Sequence, residues 1–185
     1  MMSSAFLLLL NGAPGVGKST IARRCADDHP LSLIVDIDTM RMQLGQWQHV
    51  EESRTAARNL AVALTRAHLR AGYSVIVPQY VARREFVGRL HHTAIQAEAE
   101  FVEVLLTDDP EEIAKRFMRR RLHHAAKGIV HPEGDLSDDA VAIEVRNADL
   151  RLRRDATASG VAVISTAGGI DSIYRALRAA LPGYD

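Results

Sequence analysis

The stretch Ala5-Phe6-Leu7-Leu8-Leu9-Leu10-Asn11-Gly12-Ala13-Pro14-Gly15-Val16-Gly17-Lys18-Ser19-Thr20 decides how this chain is read. An apolar run passes into a glycine loop, and the loop ends in Lys-Ser at the start of a helical pattern. Gly12 to Ser19 fit G-x-x-x-x-G-K-[ST] with no departure. Glycines let successive backbone N–H groups turn inward around phosphate oxygens, a geometry closed to most residues with a side chain. A helix beginning at Lys18 aims its free N–H groups and positive dipole end at the same anion. Gly12, Ala13, Pro14, Gly15, Val16, Gly17 and Thr20 are therefore expected to shape a nucleoside-triphosphate site. Lys18 is expected to reach the β- and γ-phosphates, and the Ser19 hydroxyl to ligate Mg²⁺. The run before the loop is far shorter than the roughly 20 residues of a membrane span. It also lacks a basic leader and a cleavage site, so it is expected to be a buried strand rather than a signal peptide.

Outward from this loop, apolar runs alternate with helical periods. Strands are predicted at Ala5 to Leu10, Leu31 to Ile37, Tyr73 to Val77, Phe101 to Leu106 and Val161 to Ser165. Helices are predicted at Lys18 to Asp27, Glu51 to Ala71, Ala82 to Glu98, from Asp108 onward, from a Ser137 cap to Ala156, and at Asp171 to Ala180. The second of these carries Ala56, Leu60, Ala63, Leu64 and Ala67 on one face and Gly72 as its stop. Asp108-Asp109-Pro110-Glu111-Glu112 has a cap, an early proline and acids in the first turn. Five short apolar strands alternating with helices argue for an α/β chain with a parallel sheet covered on both faces. No repeat or linker divides the 185 residues, which are expected to form one domain.

Composition narrows the partners. The 23 basic and 23 acidic residues cancel, which argues against a general nucleic-acid binder or an anionic-membrane binder. A lone Cys25 excludes an internal disulfide. It is expected to be a small core side chain, and the chain reads as cytoplasmic. Twenty of the basic residues are arginines; the lysines are Lys18, Lys115 and Lys127.

The kind of nucleotide chemistry is reached first by elimination. No N-K-x-D, switch-type D-x-x-G or ABC-type signature is present. Val104 to Asp109 imitates an acidic strand end, but Pro110 makes Asp108 and Asp109 better read as a helix cap and first turn. The positive evidence is Ile34-Val35-Asp36-Ile37-Asp38-Thr39-Met40-Arg41. Acids here would lie at the carboxyl edge of the sheet, where open α/β folds bind ligands. Transfer to an alcohol needs a carboxylate to accept the hydroxyl proton. If the strand persists, Asp36 and Asp38 point to opposite faces. Asp38 is then expected to be the base and a Mg²⁺ partner, with Asp36 and Arg41 on the acceptor side.

A second candidate set lies on an arginine-rich helix. From Ile113 to Pro132 there are six basic residues and no acid, flanked by four acids on each side. Arg116 and Arg120 share a helix face and are expected to be the catalytic and nucleotide-binding guanidiniums, with Arg119 next. A guanidinium delivered by a lid neutralises transferring phosphate without losing its proton. The irregular stretch Leu122 to Ser137 is the candidate lid loop, within a lid segment of about 116 to 140. The adjacent pairs His91-His92 and His123-His124 do not converge on a metal, though His123, His124 or His131 could touch ligand. Trp47 suits either an acceptor-side aromatic or core packing, and Arg83, Arg84 and Glu85 either line an acceptor pocket or form ordinary surface.

On the phosphate loop, the segment Val35 to Arg41 and the arginine helix, the chain resembles the zeta-toxin and chloramphenicol-phosphotransferase group of small P-loop kinases. It is similar as well to tunicamycin-resistance-type proteins. The resemblance implies a P-loop NTPase three-layer sandwich, with a five-stranded parallel sheet of order 2-3-1-4-5 and a helical lid. It further implies that Asp38 matches the group's catalytic aspartate, that lid-side arginines clamp ATP, and that Thr166-Ala167-Gly168-Gly169 cradles adenine. The chain departs from many relatives after its third strand, where it has Val77-Pro78-Gln79-Tyr80 in place of an acidic stretch. Pro78 ends the ladder, and Gln79 and Tyr80 are expected to face the acceptor.

Two functional classes stay open. One is an ATP- and Mg²⁺-dependent kinase acting on a hydroxyl of a small molecule, such as an antibiotic, a nucleoside or a nucleotide sugar, or a zeta-type toxin kinase. The other is a nucleotide-dependent switch acting through a protein partner.

Overall fold

A computed structural model of the chain describes residues 5–127 and 137–183. Strand β1 (Phe6–Asn11) is followed by helix α1 (Lys18–Asp27), β2 (Leu33–Ile34), α2 (Ile37–Met42) and α3 (Ser53–Arg70). Then come β3 (Val75–Pro78), α4 (Arg84–Ile95), β4 (Glu100–Thr107), α5 (Pro110–Ala126), α6 (Asp138–Ser159), β5 (Ala162–Ser165) and α7 (Ile170–Arg178). The strands form one five-stranded sheet, ordered β2-β3-β1-β4-β5, and every pairing is parallel. The parallel pairing expected from the strand and helix pattern and the strand order implied by the family resemblance are both found.

The alternation of side chains along a strand explains the layers. Phe6, Leu8 and Leu10 of β1 enter one core with Ile21 and Cys25 of α1, Phe117 of α5, Val145 of α6 and Leu177 of α7. Leu7 and Leu9 enter a second core with Ala57, Ala61 and Leu69 of α3 and Leu90 of α4. Every β1 side chain is buried, so the central strand is apolar on both faces, as a sheet covered twice requires. Each fully buried Leu contributes about 1.5–3 kcal/mol relative to exposure. Cys25 is a core residue: burial pushes its thiol up to about 12, which leaves it protonated and unreactive at neutral pH.

Two local expectations fail, each for a physical reason. The predicted strand Leu31 to Ile37 contracts to Leu33–Ile34. Asp36 terminates it by capping α2, its carboxylate accepting from the Thr39 N–H at 3.0 Å. An Asx cap competes with the extended ladder, and here it wins. Asp36 and Asp38 therefore do not alternate across a strand. On α3 the apolar stripe Ala56, Leu60, Ala63, Leu64 and Ala67 faces solvent. The buried face is instead Ser53, Ala57, Ala61, Val62, Thr65 and Leu69. Its small residues let α3 lie close on the sheet, and periodicity alone does not rank two stripes on the same helix. Among the described residues no helix is long and apolar enough to cross a membrane.

Candidate active site

The glycine loop leaves β1 at the carboxyl edge of the sheet and is locked from below. Asn11, itself buried, accepts from the N–H of Gly12 at 2.9 Å and of Val81 at 3.0 Å, and donates to the Val81 carbonyl at 3.0 Å. One side chain thus ties the start of the loop to the segment after β3. Gly15 has φ +92° and packs on α5 so tightly that a Cβ would lie 2.7 Å from the Ile113 carbonyl oxygen. Gly17 is different: its surroundings are open, but φ of +106° demands glycine as the cap of α1. Lys18 Nζ donates to the carbonyls of Gly12 and Ala13, at 2.8 and 3.0 Å.

Above the loop lies a cavity of about 520 Å³. Pro14, Gly15, Gly17, Lys18, Ser19 and Thr20 line its floor, while Gly12, Ala13 and Val16 support it from beneath. Arg116, Arg119 and Arg120 of α5 line the wall together with His124. The structure thus brings all three predicted arginines to the phosphate loop. Arg116 is held by Asp108 at 2.6 Å, and Arg120 stacks over the Phe117 ring at 5.1 Å. Arg23 of α1, not anticipated from the sequence, lines the same cavity.

Asp108 and Asp109 divide their roles. Asp109 caps α5, accepting from the N–H groups of Glu111 and Glu112, with Pro110 next in the chain. Asp108 is buried and accepts from Arg116 and from the Thr166 hydroxyl at 3.1 Å. Burial opposes its ionisation, but the hydrogen bonds from Arg116, the Asp109 N–H and Thr166 hold its pKa below the usual carboxylate range. Its backbone carbonyl accepts from Arg153, whose Nε also pairs with the fully buried Asp149 at 2.6 Å. These bonds position α5, and hence its arginines, against β4, β5 and α6. Thr166 is therefore a buried anchor, and Thr166 to Gly169 lines neither of the two large cavities.

A second cavity, of about 470 Å³, lies beyond the first and is lined from α2, α3, the segment after β3 and α6. Asp38 and Tyr80, with Pro14, line both cavities. Gln79 Nε2 donates to the Asp38 carboxylate at 3.2 Å, while Gln79 Oε1 is buried with no hydrogen-bond partner among the described residues. Burial raises the Tyr80 phenol pKa, with Arg151 pulling it back. Arg41 also lines the second cavity; Asp36 does not, and stands as the α2 cap in the phosphate cavity. The expected acceptor-side role of Asp36 is corrected accordingly. Trp47 lines neither cavity; its ring centroid lies 5.0 Å from the Arg41 guanidinium. Arg83 lines the second cavity, whereas Arg84 pairs with Glu103 on the surface. Arg54, Arg58 and Glu144 complete the wall and were missed in the sequence, because nothing local marks their convergence. The expected lid loop lies largely outside the described residues, as does His131; Leu122 to Ala126 continue α5 as helix.

The sequence profile of the AAA domain family matches residues 7–133, and the chain belongs to that family. No curated protein sequence matches the chain. Among solved structures it is similar to an inferred kinase of Chloroflexus aurantiacus, with a TM-score of 0.65 and 17% identity over 96% of this chain and 99% of that one. A tunicamycin resistance protein of Deinococcus radiodurans gives 0.59 at 18% identity, over 95% and 94%. A gluconokinase of Sinorhizobium meliloti gives 0.57 at 15% identity, over 97% and 95%. At these identities the likeness establishes a shared P-loop kinase-like fold.

Proposed function

We propose that the protein is an ATP-dependent phosphotransferase that moves the γ-phosphate of ATP to a hydroxyl of a small molecule. The observation that carries this reading is the place of Asp38, on the boundary between the phosphate-loop cavity and the second cavity. A carboxylate there can accept a proton from a hydroxyl in one cavity as that oxygen attacks phosphorus in the other. The bond from the acceptor oxygen to the γ-phosphorus forms, the bond to the bridging oxygen breaks, ADP leaves, and the proton passes to Asp38. Gln79 orients that carboxylate. Lys18 and the backbone N–H groups of the loop hold the β- and γ-phosphates, while Arg116, Arg119 and Arg120 offset the charge spread over the transferring group.

The Ser19 hydroxyl and the carboxylates of Asp36 and Asp38 line one cavity. They are hard oxygen donors of the type that suits Mg²⁺. With Ser19 and Asp38 as its protein ligands, the ion would neutralise phosphate charge. The resemblance to the zeta-toxin and chloramphenicol-phosphotransferase group supports a small kinase with a compact acceptor, such as an antibiotic, a nucleoside or a nucleotide sugar. A cytoplasmic, single-domain enzyme fits the same reading.

The test is Asp38→Asn, assayed for ATP binding and for acceptor-dependent ADP release. Nucleotide affinity is expected to stay within about twofold while kcat falls by roughly 10²–10⁴. Unchanged turnover removes Asp38 from the mechanism. Saturable ATP binding that no acceptor stimulates would favour a switch acting through a protein partner.

A further inference from the structure

The second cavity is unusually cationic for a chain of zero net charge. Arg41, Arg54, Arg58 and Arg83 line it, against Asp38 and Glu144 as the carboxylates. Among the described residues, none of these four guanidiniums is paired with an acid. Elsewhere the described arginines often are: Arg24, Arg84, Arg116, Arg146 and Arg153 each hold a carboxylate.

The four come from three different elements and converge. Arg54 and Arg58 are one turn apart on α3, Arg41 comes from α2, and Arg83 is the residue that precedes α4. Arg41 is held in place rather than left to wander. Its Nε donates to the buried Ser53 hydroxyl at 2.9 Å, its head group reaches the Trp47 carbonyl, and the indole lies beneath it. Burial and the neighbouring Arg54 charge lower the Arg41 pKa, with Asp38 acting in the opposite direction. Like charges gathered around a concavity repel one another until an anion sits between them, and planar guanidiniums match a carboxylate or phosphate two oxygens at a time. A cavity of about 470 Å³ is of small-molecule size.

We infer that the acceptor is itself an anion, a small hydroxyl compound bearing a phosphate or carboxylate that Arg54 and Arg58 bind, with Arg41 and Arg83 beside them. This inference rests on the second cavity being the acceptor side of the kinase proposed above. It adds a chemical class to that reading. The arginines hold the anionic end, which leaves the hydroxyl end to face Asp38 and the unpartnered Gln79 Oε1. They also offset the repulsion between a charged acceptor and the triphosphate.

The experiment is calorimetric titration of the full chain, with its phosphate loop saturated by ADP and Mg²⁺. The probes are two matched series: glycerol, glycerate and glycerol 3-phosphate, then glucose, gluconate and glucose 6-phosphate. In at least one series an anionic member is expected to bind about tenfold or more tightly than its neutral parent. The double variant R54Q/R58Q is expected to lose that difference. The charge-matched control R66Q/R70Q, on exposed positions of the same helix, should change affinity less than twofold. Whether carboxylate or phosphate is the recognised group is read from which anionic member binds. Equal binding of neutral and anionic members, no binding by any anion, or an equal loss in the control pair overturns the inference. Product analysis by mass separates the two readings. Phosphorylation of a neutral acceptor alone sinks the anionic class but keeps the kinase; Arg54- and Arg58-dependent anion binding with no phosphorylated product does the reverse.

Discussion

The two cavities meet at Asp38 but are built in opposite ways. The cavity over the glycine loop is floored by one contiguous run, Pro14 to Thr20, whose shape is set by glycine conformations at Gly15 and Gly17. The second cavity is assembled from side chains more than a hundred positions apart, Ile37 to Glu144. Its chemistry is set by which arginines happen to converge. A contiguous backbone site tolerates little change and leaves a strong motif. A dispersed side-chain site can change its ligand residue by residue and leaves almost none.

That contrast can be tested by breaking each half separately. Lys18→Ala should have the largest effect and should act on the phosphate side: ATP affinity is expected to fall roughly 10- to 100-fold. kcat in this variant should fall about 10²- to 10³-fold. Calorimetry and turnover measure the two, and an active variant would sink the reading of the loop. Asn11→Ala should injure both halves at once, because Asn11 binds Gly12 on one side and Val81 on the other. The buried N–H groups it leaves unpaired predict a loss of about 1–3 kcal/mol, read by denaturant unfolding. Stability that does not change would show that the cavities are not tied through this residue.

Gln79→Leu tests the second side more gently. It removes the hydrogen bond to Asp38 and should lower kcat about 3- to 10-fold, with the KM for ATP unchanged; rescue by Gln79→Asn is not expected, since the shorter amide falls short. An increase in the KM for ATP instead would place Gln79 with the phosphate loop. The smallest effect is expected for Leu64→Ala. This leucine lies on the exposed stripe of α3, on a helix whose Arg54, Ala57 and Arg58 line the second cavity. Stability within about 0.5 kcal/mol of the parent is expected, along with unaltered turnover. A clear loss of stability would mean that the stripe is covered after all.

What was legible in the sequence follows from locality. The strand Phe6–Asn11, the loop, the start of α1 at Lys18, the helix start around Pro110 with its acidic first turn and the Ser137 cap all depend on neighbours a few residues away. Each was therefore readable. The same locality produced the errors. Leu31 to Ile37 has strand composition, but the Asp36 side chain captures the Thr39 N–H and starts α2 instead. The leucine stripe of α3 is as periodic as the alanine stripe. The choice between them was made by how closely α3 could approach Leu7 and Leu9 of β1 within the second core.

The sequence by itself determined the glycine loop between β1 and α1, because eight consecutive residues specify a backbone shape that has few other uses. It also determined the parallel sheet, because five apolar runs separated by helices leave no other economical way to cover both faces. Only the tertiary structure decided that Asp38 stands between two cavities, that Asp108 is spent on holding Arg116, and that Arg41, Arg54, Arg58 and Arg83 face a common space. The physical reason is the reach of each interaction. Caps, glycine turns and strand patterning act over a few residues, whereas the sign and shape of a pocket arise where several elements meet.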